Sequence, residues 1–323
     1  MRKIVIAALG VILLLMALLF IPITYTPPAA PNPSQSYEES LTRFAEIQHQ
    51  EADMALFEGC ETQMLDHGQP AAQVMVLFHG YRNCPRQMQE LGEIFYAKGY
   101  NVIIPRAPYM GLADPLAPEQ AELTADDLSY FSTEAVDIAQ GLGDEVTVVG
   151  ISMGGVVTGW QAQSRDDVDL AVLIAPAFGV EIVPALLTTP AVRLFSLLPN
   201  QFIWQNDELK TEVPNPPQVY PRNATRPVSA FLRYGFAVRN GSQQAAPEAA
   251  AILVTTNDAD HVVNNETTAA IIERWQDDGF SAIESYHFAA DLQLEHDLLS
   301  PDHPHEHVEI VYPVLEQLIA EAP

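Results

Sequence analysis

The ten residues 146–155 constrain the fold of this chain more than any other stretch, because their pattern asks for a strand, a sharp turn and a helix in succession. The first four residues are rich in valine, as in a buried parallel strand, and residues 156–163 can continue as a helix. Gly150, Ser152 and Gly154 fit the pattern G-x-S-x-G, which lifts a serine hydroxyl out of a strand-to-helix turn. We therefore predict that Ser152 is a nucleophile. The alternative is a serine that merely caps the helix.

Strand-like apolar runs alternate with helical patterns along the chain, which is long enough at 323 residues for one large α/β domain. Strands are predicted at 73–78, 100–106, 146–149, 170–175, 251–256 and 281–288, with a further short strand within 55–65. Helices are predicted at 37–54, 87–98, 124–142, 156–163 and 306–319. This alternation implies right-handed crossovers and a mostly parallel central sheet flanked by helices.

The alternation stops between about residues 178 and 247, where no strand is evident and nine prolines occur. A segment this long without regular structure is normally functional. We interpret it as a cap over the nucleophile whose apolar clusters form a hydrophobic pocket. The alternative is that these clusters form only the small core of the cap itself.

A serine nucleophile needs a base and an acid, supplied by loops at the carboxyl edge of the sheet. Asp258 and Asp260 both follow a late strand, and we choose Asp260 because residues 262–263 after it can anchor the loop. His296 follows the last predicted strand and suits the base better than His287, which lies within that strand.

A His79-Gly80 pair directly follows the predicted strand at 73–78. Such a pair lets a backbone amide approach a substrate closely. We expect the N–H groups of Tyr81 and of Met153, the residue after the nucleophile, to form an oxyanion hole. An ordinary strand-to-helix turn is the alternative.

Two further clusters of reactive side chains leave alternatives open. Cys60 and Cys84 are the only cysteines, and a disulfide between them would close a loop of about 25 residues, worth roughly 3 kcal/mol in the chain-entropy model; two buried free thiols fit equally well. His303, His305 and His307 form an H-x-H-x-H pattern that could bind a metal ion. Because no carboxylate or cysteine set completes that site, we expect no metal and no other cofactor.

The N-terminus begins with a basic pair followed by an apolar run at 4–23, about the length that spans a bilayer. We predict an uncleaved membrane anchor at 1–23, a proline-rich linker at 24–36 and a catalytic domain at 37–323. The domain would then lie outside the cytoplasm, in the periplasm or at the cell surface. Secretion after cleavage of a signal peptide is the alternative. The net charge of −27 argues against nucleic acid and anionic lipid surfaces as partners.

The order Ser152, Asp260, His296, with His79-Gly80 upstream, resembles the α/β-hydrolase superfamily. It is most similar to bacterial carboxylesterase and monoacylglycerol-lipase-like members with an inserted cap. The resemblance covers residue 73 to the C-terminus and is carried by the fragments 78–81, 99–102, 150–155 and 296–299. It implies an α/β-hydrolase fold with a cap after the strand that follows the nucleophile helix, and a Ser-Asp-His triad that needs no cofactor. One departure is Asn257, since such chains often have glycine three residues before the acid.

Together these patterns predict a serine hydrolase that cleaves carboxylic esters through an acyl-enzyme. The expected partner is a small-molecule ester with an apolar acyl or alcohol part. Amide or peptide hydrolysis and acyl transfer use the same triad and remain alternatives, as does a non-catalytic binding module.

Overall fold

The computed structural model describes residues 17–212, 214–303 and 307–322. Its strands are β1 (Gln63–Leu65), β2 (Ala71–Phe78), β3 (Asn101–Ile104), β4 (Gly143–Ile151), β5 (Leu170–Ile174), β6 (Phe202–Trp204), β7 (Arg222–Ala224), β8 (Ala251–Asn257) and β9 (Ile283–Phe288). Its helices are α1 (Tyr37–Glu51), α2 (Gln89–Ala97), α3 (Ala125–Ala139), α4 (Met153–Ser164), α5 (Thr188–Leu197), α6 (Thr225–Gly241), α7 (Asn265–Asp277) and α8 (Val308–Glu321).

A seven-stranded sheet forms the centre, in the order β1-β3-β2-β4-β5-β8-β9. β1 pairs antiparallel with β3, and every other pair in this sheet is parallel. β4 is the middle strand, so Val148 lies opposite Val76 on one side and Ala171 on the other. The prediction of a mostly parallel sheet flanked by helices is confirmed. A strand covered on both faces must be apolar throughout, which is why these strands were visible in the sequence.

The cap segment is more regular than its sequence indicates. It contains α5 and α6, and β6 pairs antiparallel with β7 in a separate two-stranded sheet. The expectation that this stretch holds no strand is therefore wrong. Each strand has only three residues, too few to show an alternating pattern, and residues 205–221 separate them.

Helix α7 is also absent from the predicted elements. Its signal is present, since Asn264 accepts a hydrogen bond from the amide of Thr267 at the helix start. Ile271 and Trp275 are buried one turn apart on one face. A capping residue followed by apolar residues at helical spacing predicts a helix, and this pattern is present here.

The proline-rich segment 24–36 is extended, without helix or strand, and lies against the domain. The amide of Asn32 donates to the buried Asp137 carboxylate at 2.9 Å, and the amide of Ser34 donates to the Asp137 carbonyl. Most of the predicted anchor, residues 1–16, lies outside the described residues. Within the described part of the chain, no helix is both long enough and apolar enough to cross a bilayer.

Cys60 and Cys84 form a disulfide, with their Cα atoms 5.2 Å apart. The structure thus decides between the two possibilities that the sequence left open. The bridge ties the segment before β1 to the loop after β2. That loop carries Gly80 and Tyr81, so the disulfide limits the movement of a predicted part of the site.

Candidate active site

Ser152 occupies the sharp turn between β4 and α4, with φ 58° and ψ −114°. A non-glycine residue in this region is strained and must be held by its surroundings. The Ser152 amide donates to the carbonyl of Ile174 at the end of β5, and the Ser152 carbonyl accepts from the amide of Ala177. Added Cβ atoms on Gly150 and Gly154 would collide with backbone of the turn and of β2, so both positions require glycine. The turn therefore presents the side chain of Ser152 at the carboxyl edge of the sheet.

Gly80 lies beside the serine, since a Cβ added there would stand 3.6 Å from the Ser152 Cβ. The amide of Gly80 already donates to Gln87 Oε1 at 2.7 Å and is therefore occupied. The amide that follows it in the loop is that of Tyr81. Met153 is the first residue of α4, and amides in the first turn of a helix have no partner within that helix. Both predicted oxyanion donors thus belong to segments that border the serine.

The neighbouring His79 is buried and takes a defined tautomer. Its Nε2 accepts a hydrogen bond from the amide of Ala107 at 3.0 Å, so the ring proton lies on Nδ1, which donates to the carbonyl of Gly80 at 2.8 Å. Burial lowers the pKa of His79 to about 4. His79 therefore stays neutral and fixes the loop rather than exchanging protons.

Asp260 and His296 meet at 2.6 Å between Oδ2 and Nδ1. The second carboxylate oxygen of Asp260 accepts from the amides of Val262 and Val263, at 2.7 and 3.1 Å. The Asp260 carboxylate is inaccessible to solvent, whereas the His296 ring is 18% exposed. With the ring proton of His296 held on Nδ1, its Nε2 keeps a lone pair for accepting a proton.

Several effects act on the pKa of Asp260. Burial by itself raises the pKa. The hydrogen bond and charge of His296 and the two backbone amides together lower it by more than burial raises it, so the pKa lies below its ordinary value. Asp260 is therefore ionised at neutral pH. Asp258, the alternative acid, is exposed, and its amide donates to the carbonyl of Phe288.

Asn257 connects the loop of Asp260 to the loop of His296. Its side chain is buried, and its Nδ2 donates to the carbonyls of Leu294 at 2.8 Å and Glu295 at 3.2 Å. Its Oδ1 accepts from the amide of Ala259. A glycine could make none of these contacts. The departure from the family pattern thus supplies a clamp between the end of β8 and the residues before His296.

A second connection, which no local sequence pattern indicates, joins two loops named here for their predicted roles: the base loop, residues 289–300, and the oxyanion loop, residues 79–84. Gln87 Nε2 donates to Asp297 Oδ1 at 2.8 Å while Gln87 Oε1 holds the amide of Gly80. Asp297 also accepts from the side chains of Asn83 and Ser300. Because Asp297 follows His296 directly, the buried Gln87 amide fixes the distance between the two loops.

The sequence matches the family described as Hydrolase_4 (serine aminopeptidase, S33) over residues 69–289, more than half of the chain. The chain belongs to this family. The matched range includes Ser152 and Asp260, whereas His296 lies beyond its end. No curated protein is similar enough in sequence to be matched.

Solved structures of α/β-hydrolases are similar to this Hydrolase_4 member in fold. The structure for the metagenome-derived lipolytic enzymes LipS and LipT has a TM-score of 0.59 at 19% identity, covering 82% of this chain and 99% of its own. The monoacylglycerol lipase of Paleococcus ferrophilus has a TM-score of 0.59 at 17% identity, covering 80% of this chain and 99% of its own. A soluble variant of monoglyceride lipase from Saccharomyces cerevisiae has a TM-score of 0.59 at 14% identity, covering 81% and 92%. At these identities the similarity establishes the fold alone.

A cavity of about 670 Å³ lies between the cap residues 205–221 of this Hydrolase_4 member and the base loop, and His296 lines it. Arg82 lines the cavity and binds the cap. Its Nη1 donates to Gln205 Oε1 at 2.8 Å and to the carbonyl of Tyr220 at 2.7 Å. No cluster of metal-binding side chains occurs within the described ranges, and His305 of the H-x-H-x-H pattern falls outside them.

Proposed function

We propose that this protein is a serine hydrolase of carboxylic esters. The observation that carries the proposal is the ionised, fully buried Asp260, whose bond to His296 Nδ1 leaves Nε2 as the basic nitrogen. Ser152 in its strained turn supplies a nucleophile at the same edge of the sheet. An acid, a base and a serine in these roles are the parts that acyl transfer to a hydroxyl requires.

In the proposed reaction His296 Nε2 takes the Ser152 proton while the serine oxygen attacks the ester carbonyl carbon. The amides of Tyr81 and Met153 donate to the resulting oxyanion. The C–O bond to the alcohol breaks, the alcohol leaves with the proton from His296, and an acyl-enzyme remains. Water, deprotonated by His296, then releases the acid and restores Ser152.

The substrate class is inferred from the structural neighbours and from the cavity. Structural neighbours include lipolytic enzymes and monoacylglycerol or monoglyceride lipases, and the cavity beside His296 is large enough for a small ester with an apolar part. The family description names a serine aminopeptidase, so cleavage of aminoacyl amides is the second candidate. The same triad would serve both reactions.

We also propose that residues 1–23 anchor the enzyme in a membrane and that the domain lies outside the cytoplasm. The Cys60–Cys84 disulfide supports this location, because such bonds persist mainly in oxidising compartments. Protease added to cells whose outer envelope is permeabilised, with the cytoplasmic membrane left intact, should degrade the domain. Complete protection until the cells are lysed would place the domain in the cytoplasm.

The test of the reaction uses the full chain with p-nitrophenyl esters of increasing acyl length and with aminoacyl p-nitroanilides. Ser152→Ala should lower kcat by about 10⁶-fold, as triad serines do. Ser281→Ala, at an exposed position outside the site, is the matched control and should leave turnover unchanged. Hydrolysis retained by Ser152→Ala would refute the nucleophile. Faster cleavage of anilides than of all esters would favour the peptidase alternative.

A further inference from the structure

Helix α5 in the cap buries Thr188 and Val192. Ser196 Oγ lies 2.5 Å from Ser229 Oγ on α6, and Ser229 Oγ also bonds the carbonyl of the buried Val192. The leucines of α5 and of the turn before it point outward. An ordinary surface helix keeps its leucines on the side that faces the core.

The outward residues all lie within the segment 182–198, and we name them the cap face. Leu186 is 80% exposed and Leu197 is 78% exposed. The cap face consists of Ile182, Leu186, Leu187, Leu194, Leu197 and Leu198. Of the fourteen exposed large apolar side chains among the described residues, ten lie in the cap or at residues 18–21. A concentration of this kind marks a contact site, whereas single exposed leucines do not.

The end of the N-terminal apolar run lies beside the cap face. The Arg193 guanidinium on α5 donates to the carbonyls of Ile21 at 2.9 Å and Pro22 at 3.1 Å. Leu18, Phe20 and Ile21 are each about half exposed. The sequence before them, residues 4–16, is apolar apart from Gly10. The run that is long enough to enter a bilayer therefore joins the domain at its exposed apolar surface.

The charge of the cap differs from that of the rest of the protein. Residues 178–247 contain six basic and four acidic side chains, whereas the remainder has nine basic and 38 acidic ones. Arg226 and Arg233 on α6 are exposed. Basic side chains beside an apolar surface are attracted to the phosphates of lipid headgroups. The acidic remainder would be repelled by the same headgroups.

We propose that the cap face rests on a lipid bilayer, as a second membrane contact beside the N-terminal run. The apolar side chains enter the boundary between headgroups and acyl chains, and the arginines lie at the level of the phosphates. A protein partner or a second copy would cover the leucines equally well, but neither accounts for the apolar run that leaves from the same surface. This proposal does not depend on the catalytic one, because it concerns binding alone.

The experiment places a fluorescent label on the full chain in vesicles of phosphatidylcholine. Leu197→Cys carries an NBD group in the cap face, and Met54→Cys carries the same group at an exposed apolar position outside the cap. Since Cys60 and Cys84 are already joined, only the introduced thiol reacts. Doxyl-labelled lipid then reports which label touches acyl chains, while the N-terminal run tethers both variants equally.

We expect blue-shifted emission and several-fold stronger doxyl quenching at Leu197 than at Met54. Equal, weak quenching at both positions would overturn the proposal, because it would describe a domain tethered at a distance from the bilayer. The proposal would also be overturned if the Leu197 label were blue-shifted before lipid is added and were not quenched by doxyl lipid. In that case the cap face would be buried by another part of the chain or by a second copy. Labelled Leu186→Cys is the second variant and should behave as Leu197→Cys does.

Discussion

Replacement of Asp260 by asparagine tests the proposed acid through the direction of a single hydrogen bond. Asparagine has the same shape, but one of its two terminal atoms is a donor. The amides of Val262 and Val263 both donate toward the position of Oδ1, so the asparagine oxygen must face them. The NH₂ group then faces His296, 2.6 Å away in the wild type, and can only meet an unprotonated Nδ1.

The magnitude follows from this reversal. With Nδ1 unprotonated, the ring proton of a neutral His296 moves to Nε2, the nitrogen that must accept the serine proton. The same change in a serine protease triad lowers kcat by about 10⁴-fold, and we expect a loss of this order, about 5 kcal/mol of transition-state stabilisation. The fold should survive, because the asparagine oxygen keeps both backbone hydrogen bonds.

The assay is kcat on the best p-nitrophenyl ester across a range of pH, for Asp260→Asn and for Asp258→Asn. Asp258 is exposed and two residues away, so its asparagine variant controls for charge at the loop. We expect Asp258→Asn to retain nearly full activity. A loss below about tenfold in Asp260→Asn, or an equal loss in the two variants, would refute the orientation argument.

Three further predictions concern the structures that hold the site. Gln87→Glu should lower kcat and cost about 1–3 kcal/mol in urea unfolding, because a second carboxylate would face Asp297 Oδ1 across 2.8 Å; unchanged unfolding would show that the two loops are not joined there. Reduction of the Cys60–Cys84 disulfide should lower the unfolding free energy by about 3 kcal/mol, measured in urea with and without reductant. The pKa of His79 falls from 6.5 to about 4 on folding, mainly through burial, so the unfolded chain binds the extra proton between those values. The unfolding free energy should therefore drop by up to about 3 kcal/mol as pH falls through that window, and His79→Gln should lack this part of the slope.

The sheet could be predicted because its strands carry their information locally. β4, β5 and β8 are buried on both faces and therefore appear as continuous apolar runs. β6 and β7 have no such runs, because a short antiparallel pair at the surface of the cap is specified by contacts between distant residues. The same distinction separates the predicted parts of the site from the missed ones.

Ser152 is predicted as the nucleophile from residues within a few positions of it, since the glycines of its turn meet their neighbours locally. Asp260 was preferred over Asp258 because residues 262–263 could anchor its loop, and in the structure the amides of those residues bind its carboxylate directly. Gln87 and Asp297 are 210 positions apart, and nothing in either local sequence indicates that they pair. Asn257 was noted only as a departure from glycine, although its contacts give it a positive role.

The oxyanion loop is the point at which these separate elements meet. It is bound to the base loop through Gln87 and to the segment before β1 through the disulfide. It is also bound to the cap, because Tyr81 Oη accepts from the amide of Ala224 on β7 and donates to the carbonyl of the same residue. The residue whose amide would hold the oxyanion thus has its side chain fixed to the cap. If the cap face rests on a bilayer, a change in the seating of the cap acts on Tyr81 before it reaches Ser152, and we expect the oxyanion donor to be the part of the site most sensitive to lipid.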